Sequence, residues 1–139
     1  MSKIDPKYTT SVTVSGGRQG HAVSDDGVLD AELRVPKRNG ISDGTNPEQL
    51  FAAAWAGCFG SALDYVAKQA GIDSTGSTVK VEISQGPDST GGYGLAATIS
   101  ASIPGVEPAK VQELADAAHQ GCPYSKATRG NIDVEVLAV

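Results

Sequence analysis

Two cysteines, Cys58 and Cys122, are the only thiols in the chain and its most chemically capable side chains. A thiolate is a strong nucleophile, and a second thiol can capture its oxidised form as a disulfide. At an ordinary pKa near 8.5 only about 3% of a thiol is ionised at pH 7, and lowering that pKa to about 6 raises the fraction to about 90%. The gain is roughly thirtyfold, so a cation that lowers the pKa must also stabilise charge developing during attack. Cys58 also has a plainer reading. It sits among small and aromatic side chains, where a cysteine behaves as a small hydrophobe with a raised pKa and is inert. Cys122 lies in Gly121-Cys122-Pro123-Tyr124-Ser125, where it is either a loop cysteine of no consequence or a second reactive thiol. Pro123 confines it to extended backbone, which would hold the thiol at a fixed place.

Other candidates carry structural explanations of equal weight. Arg18, in the Gly-rich run Gly16-Gly17-Arg18-Gln19-Gly20, is a possible cation or a solvated turn residue. Glu48, at the start of a predicted helix, is a possible partner for a cation or simply favourable to the helix dipole. His119 near a helix end invites the same dipole argument, and as a general base it would make Cys58 a hydrolase nucleophile. Arg129 suits a turn. Zinc held by the cysteines with His21 and His119 lacks any Cys-x-x-Cys or His-x-x-x-His spacing. No phosphate-binding G-x-x-x-x-G-K-[ST], H-E-x-x-H, G-x-S-x-G or EF-hand pattern occurs, so no metal site is expected and thiol chemistry remains.

The elements that must position these residues read clearly. Period-two alternation predicts strands at Leu29–Val35, Val79–Ser84, Leu95–Ile103 and Ile132–Val136, with a weaker opening strand over Tyr8–Val14. Half-buried strands of this kind belong to antiparallel sheets. Asp26-Gly27 predicts a hairpin turn after His21–Ser24, and Gly91-Gly92 and the Gly16–Gly20 run predict two more. Pro108 to His119 predicts a helix burying Val111, Leu114, Ala115 and Ala118, with Gly121 as its stop. A central helix begins at Asn46-Pro47, with Pro47 its first residue. From Leu50 to Leu63 it is apolar nearly all round, which predicts burial on every side. The order β-β-β-α-β-β-α-β gives an α+β fold, with antiparallel sheets packed around the central helix.

The chain has 139 residues, enough for one domain over 1–139, with 40% hydrophobic residues. Aromatics are only 5% while Gly numbers 17, a composition that hints at a core shared with a second copy. The net charge is −5 and the 11 Lys and Arg are scattered, so no basic stripe for nucleic acid is present. The run from Leu50 to Leu63 falls short of the roughly 20 residues that cross a bilayer. The polar opening Met1-Ser2-Lys3-Ile4-Asp5-Pro6 has no leader character, so a cytoplasmic location is expected and no membrane partner. In a reducing compartment a cysteine pair is more often catalytic or redox-sensing than structural, and a non-enzymatic redox sensor using the same two cysteines is the rival reading.

The ordered pattern of these segments resembles the organic hydroperoxide resistance proteins, in the superfamily that includes the osmotically inducible protein C group. It comprises Gly16-Gly17-Arg18-x-Gly20, Asp26-Gly27-x-Leu29, Thr45 to Ala53, Cys58-Phe59, and Ala118-His119-x-x-Cys122-Pro123-Tyr124-Ser125-x-Ala127-Thr128-Arg129-Gly130-Asn131-Ile132. The resemblance implies a peroxidase that reduces alkyl and fatty-acid hydroperoxides to alcohols. Cys58 matches its peroxidatic cysteine, Cys122 the resolving one, Arg18 the arginine that holds the thiolate, and Glu48 the carboxylate paired with that arginine. It also implies an intertwined homodimer with no bound cofactor, recycled by dihydrolipoyl groups on a lipoylated protein. Phe51, Trp55, Phe59 and Leu63 would then favour a peroxide with an alkyl tail. Lys126 stands where this block usually has Asn, and Ala54-Trp55 where the family often has Gly-Tyr. Glu48 and Cys58 lie about 15 Å apart along a continuous helix and point roughly 80° apart around it. Two copies of the helix crossing antiparallel near Ala53 would bring Glu48 of one towards Cys58 of the other.

Overall fold

A computed structural model describes all 139 residues, which divide into two compact units, Met1–Pro47 and Glu48–Val139. In the first unit, β1 (Val12–Ser15), β2 (His21–Ser24) and β3 (Asp30–Glu32) form an antiparallel sheet in that order. The turn at Asp26-Gly27 forms as the sequence predicts: Gly27 has φ 72° and its N–H donates to the Ser24 carbonyl at 2.8 Å. The strand read over Leu29–Val35 is cut to three residues. Leu33 still donates its N–H to the Gly20 carbonyl at 2.8 Å and makes a parallel bridge to Thr45. Between β1 and β2 a single 3-10 turn, Gly17–Gln19, carries Arg18. Gly20 closes that turn against the end of β1, where a Cβ would lie 1.6 Å from the Ser15 carbonyl oxygen. No other residue type fits there.

In the second unit, β4 (Thr78–Pro87) and β5 (Tyr93–Ser102) are ten-residue antiparallel strands joined by a loop with Gly91 at φ 88°. β6 (Asp133–Ala138) completes the sheet on the other edge of β5, and the expectation of purely antiparallel sheets fails here because β6 runs parallel to β5. The connection explains why: α2 (Pro108–Gly121) and α3 (Pro123–Thr128) form a helical crossover, which returns the chain in the same direction. α3 is one helix more than the sequence order predicted. Val111, Leu114, Ala115 and Ala118 of α2 are buried as expected. The Gln112 side chain ties α2 to β6, donating to the Val136 carbonyl and accepting from the Ala138 N–H.

The central helix α1 (Pro47–Gln69) starts at Pro47 and runs 23 residues. It is not buried on every side. Trp55, Phe59, Leu63 and Ala67, spaced four apart, form the stripe that enters the core with Ile99 and Ala115, while Ala53, Ala54, Gly57, Ser61 and Tyr65 face outward. Small side chains make the outer face apolar in composition while leaving little area to bury, which is why the sequence suggested a wholly enclosed helix. The helix is long enough to span a bilayer by length and composition. Its Glu48, Asp64 and Lys68, and the packing of its aromatic stripe on the unit's own core, mark it as a packed helix instead.

Candidate active site

Cys58 sits in the fourth turn of α1, half-buried, and Cys122 is fully buried at the joint between α2 and α3. Cys122 is at once the C-cap of α2 and the N-cap of α3, with φ −73° and ψ 123°. That is the extended backbone Pro123 demands, and Pro123 then opens α3, where its missing N–H costs nothing. The backbone of Cys122 is held from both sides, its N–H on the Ala118 carbonyl at 2.8 Å and its own carbonyl accepting from Lys126 at 2.9 Å. The sulfurs meet. Both thiols are reduced, and Cys122 Sγ donates to Cys58 Sγ at 3.1 Å.

Burial pushes the Cys58 thiol above its ordinary value, and Cys122 adds to this, first through the hydrogen bond between the two sulfurs and then through repulsion between like charges. The backbone N–H of Tyr124 acts the other way by donating to the Cys58 sulfur. Tyr124 is in the first turn of α3, where N–H groups have no partner within the helix. Sequence reasoning missed this donor, although a proline directly after Cys122 was a signal for a helix start.

Cys58 opens into a groove of about 490 Å³ lined by Ser61, Ala62, Tyr65, Val66, Gly121 and Pro123. Ser61 turns its hydroxyl onto the Gly57 carbonyl at 3.2 Å, so the walls beside the sulfur are largely apolar. The four residues expected to line a substrate pocket lie elsewhere. Trp55, Phe59 and Leu63 are each 0% exposed and belong to the core, and Phe51 packs partly buried beside Trp55 with ring centroids 5.5 Å apart. The four-residue spacing that groups the large side chains turns them inward. Residues three and four after Cys58, Ser61 and Ala62, flank the groove instead.

Behind the sulfurs lies a buried polar group that the sequence did not reveal. Trp55 Nε1 donates to Ser125 Oγ at 3.1 Å, and His119 Nδ1 lies 2.9 Å from the same oxygen. Burial, then the Arg129 guanidinium, hold the His119 pKa below its ordinary value, against a smaller opposing pull from Asp116. Arg129 donates to the His119 carbonyl at 2.8 Å, a structural role at the end of α2. Arg18 lies in its turn of the first unit, and Glu48 in the first turn of α1. No three His, Cys, Asp or Glu side chains are grouped as metal ligands.

Residues 40–137 match the family described as OsmC-like protein. The organic hydroperoxide resistance protein OhrB of Bacillus subtilis is 48% identical over 132 residues, covering 93% of this chain and 96% of that protein. An organic hydroperoxide resistance protein of Xanthomonas axonopodis pv. citri is also 48% identical, with 91% of each chain covered. Among solved structures, Bacillus subtilis OhrB superposes with a TM-score of 0.85 at 46% identity, covering 95% of this chain and 98% of that one. The organic hydroperoxide resistance protein of Elizabethkingia anophelis gives 0.87 at 46% identity, covering 97% and 98%. The α+β architecture, with one antiparallel and one mixed sheet, is thus that of these relatives, whose names denote defence against organic hydroperoxides. With a thiol pair at its centre and relatives this similar along nearly its whole length, the chain belongs to the organic hydroperoxide resistance proteins of the OsmC-like family.

Proposed function

We propose that this chain is a thiol-dependent peroxidase that reduces organic hydroperoxides to alcohols. The observation that carries the reading is the pair of reduced sulfurs at 3.1 Å, one of them at the head of an apolar groove. The Cys58 thiolate attacks the terminal peroxide oxygen, the O–O bond breaks, and the alcohol leaves with a proton, giving a Cys58 sulfenic acid. Cys122 then attacks the Cys58 sulfur, an S–S bond forms, and water departs. A dihydrolipoyl dithiol, carried by a lipoylated partner protein, reduces the disulfide and becomes a lipoyl disulfide itself. An alkyl tail in the groove would account for a preference over hydrogen peroxide.

Arg18 is the guanidinium this reaction requires, and Glu48 the carboxylate that fixes its plane by a forked pair. A second copy covering the outward face of α1 would form the homodimer, with Ala53, Ala54 and Gly57 small enough for close helix approach. We take the working location to be the cytoplasm and the functional domain to be residues 1–139. The hydrolase alternative requires His119 to take the Cys58 proton. Its Nδ1 is engaged with Ser125, which disfavours that role.

The test is consumption of tert-butyl hydroperoxide against hydrogen peroxide with dihydrolipoamide as electron donor. Repeated turnover with preference for the organic peroxide is expected, and complete loss in Cys58→Ser. Turnover that survives in Cys58→Ser, or stops after one equivalent in the wild type, would overturn the reading.

A further inference from the structure

Ser125 is fully buried, and its hydroxyl oxygen is where three helices meet. Trp55 lies one helical turn before Cys58 on α1. His119 lies one turn before Cys122 on α2, and Ser125 one turn after Cys122 on α3. An indole N–H can only donate, so Trp55 occupies one lone pair of the Ser125 oxygen. A second lone pair and the single O–H remain, so His119 Nδ1 either donates to that oxygen or accepts from it. The surroundings are the apolar core of Phe59, Ile99, Ala115 and Ala118, with little water to compete for these bonds.

The rest of α3 offers weak anchorage. It has six residues, and the Thr128 hydroxyl spends its bonds on the Tyr124 and Ser125 carbonyls of the same helix. Cys122 joins this short helix to α2, so the placement of its sulfur depends both on the end of α2 and on what holds α3 against α1.

We propose that Ser125, gripped by Trp55 and His119, is a positioning residue for the second step of the reaction. It holds Cys122 against Cys58 so that the sulfenic acid closes to a disulfide before a second hydroperoxide arrives. In closure, the Cys122 sulfur attacks the Cys58 sulfur, the S–S bond forms, the S–O bond breaks, and hydroxide leaves with the Cys122 proton as water. In the competing step the Cys58 sulfenate attacks another organic hydroperoxide. An S–O bond forms, the O–O bond breaks, and sulfinic acid and an alcohol result. Closure draws its advantage from a thiol already in place, and displacement by about 1 Å can cost on the order of a hundredfold in rate.

This inference rests on the peroxidase reading, and one experiment separates the two. Reduced full-length wild type, Ser125→Ala and Trp55→Phe are mixed with tert-butyl hydroperoxide, quenched at intervals and weighed by mass spectrometry. Loss of the Cys58 thiol times the first step, and the disulfide and sulfinic products divide the second. The ratio of closure rate to first-step rate should fall about tenfold in Ser125→Ala. Trp55→Phe keeps an aromatic ring but removes the donor together with part of the buried ring system, so it should show a fall in the same direction and decides the matter if Ser125→Ala does not fold. In both, sulfinic acid should build up at peroxide concentrations that leave the wild type as disulfide. A ratio within twofold of wild type in each folded variant would overturn the positioning role. Failure of the wild type itself to form the disulfide would instead overturn the peroxidase reading.

Discussion

Oxidation by one equivalent of organic hydroperoxide should make the chain harder to unfold. The Cys58–Cys122 bond joins positions 64 apart, and chain entropy gives about 4 kcal/mol for closing a loop of that size. Strain takes a share of this, since the sulfurs must move from 3.1 Å to about 2 Å. One cysteine is fixed in a long helix and the other between two helix ends. A net gain of about 2–4 kcal/mol is expected, and in a chain of 139 residues that raises Tm by about 5–15 °C. Calorimetric melts of reduced and peroxide-treated wild type would measure it, with the disulfide verified by mass. Cys122→Ser given the same peroxide should show no such rise, and a reductant should return the wild type to its starting Tm. An oxidised protein that carries the disulfide yet melts at or below the reduced form would refute the reasoning. It would mean that closure distorts the helices more than the crosslink restrains the unfolded chain.

Arg18→Ala should lower the reactivity of Cys58 at pH 7 by roughly thirtyfold, the gap between a mostly ionised thiol and an ordinary one. The pH dependence of alkylation by iodoacetamide reads this directly, and identical profiles for the two proteins would exclude Arg18 as the activating cation. His119 is held neutral in the folded chain by burial and by Arg129, so its folded pKa lies below the unfolded value. The unfolded chain therefore binds more protons once pH falls through about 6.5, and stability should decline there until the folded pKa is passed. Tm measured from pH 8 to pH 5 should show this decline, and His119→Gln should lose that part of it. Ala62→Phe should narrow the groove beside Cys58 and lower kcat/KM for a long-chain hydroperoxide about tenfold more than for tert-butyl hydroperoxide. Equal losses on the two substrates would show that the tail does not lie there.

Much of this was legible from local patterns. Alternation located every strand of β4 to β6, and the Asp-Gly pair and Pro47 marked a turn and a helix start with a direct steric cause. The direction of β6 was not legible, because a strand's own sequence does not record which way it enters a sheet, and the short α3 that reverses the path hid inside Pro123–Thr128. The thiol pair was suggested by the family pattern, whereas its 3.1 Å approach depends on tertiary packing. The four apolar residues expected to line a substrate pocket turn inward for a related reason. Large apolar side chains near a nucleophile look like a pocket, but on a helix with one buried stripe they are what the core takes first, and the groove falls to the smaller Ser61 and Ala62.

The electrostatics of the second unit carry a further consequence. Within Glu48–Val139, burial and Cys122 make Cys58 a weaker acid than a free cysteine, and one backbone N–H opposes them. The basic side chains of that unit are largely committed: Lys68 to Asp64, Lys80 to Glu82, Lys110 to Glu113, and Arg129 to the His119 carbonyl. A nucleophilic Cys58 at neutral pH therefore requires a cation beyond these pairs, and Lys126 of α3 lies in the same unit. In Met1–Pro47, Lys7, Lys37 and Arg34 pair with Asp5, Asp43 and Glu32. Arg18 lies on a turn closed by two backbone hydrogen bonds and ended by Gly20, whose place no other residue can take. A planar cation on a rigid turn loses little entropy in meeting an anion, which is what a thiolate in apolar surroundings needs most.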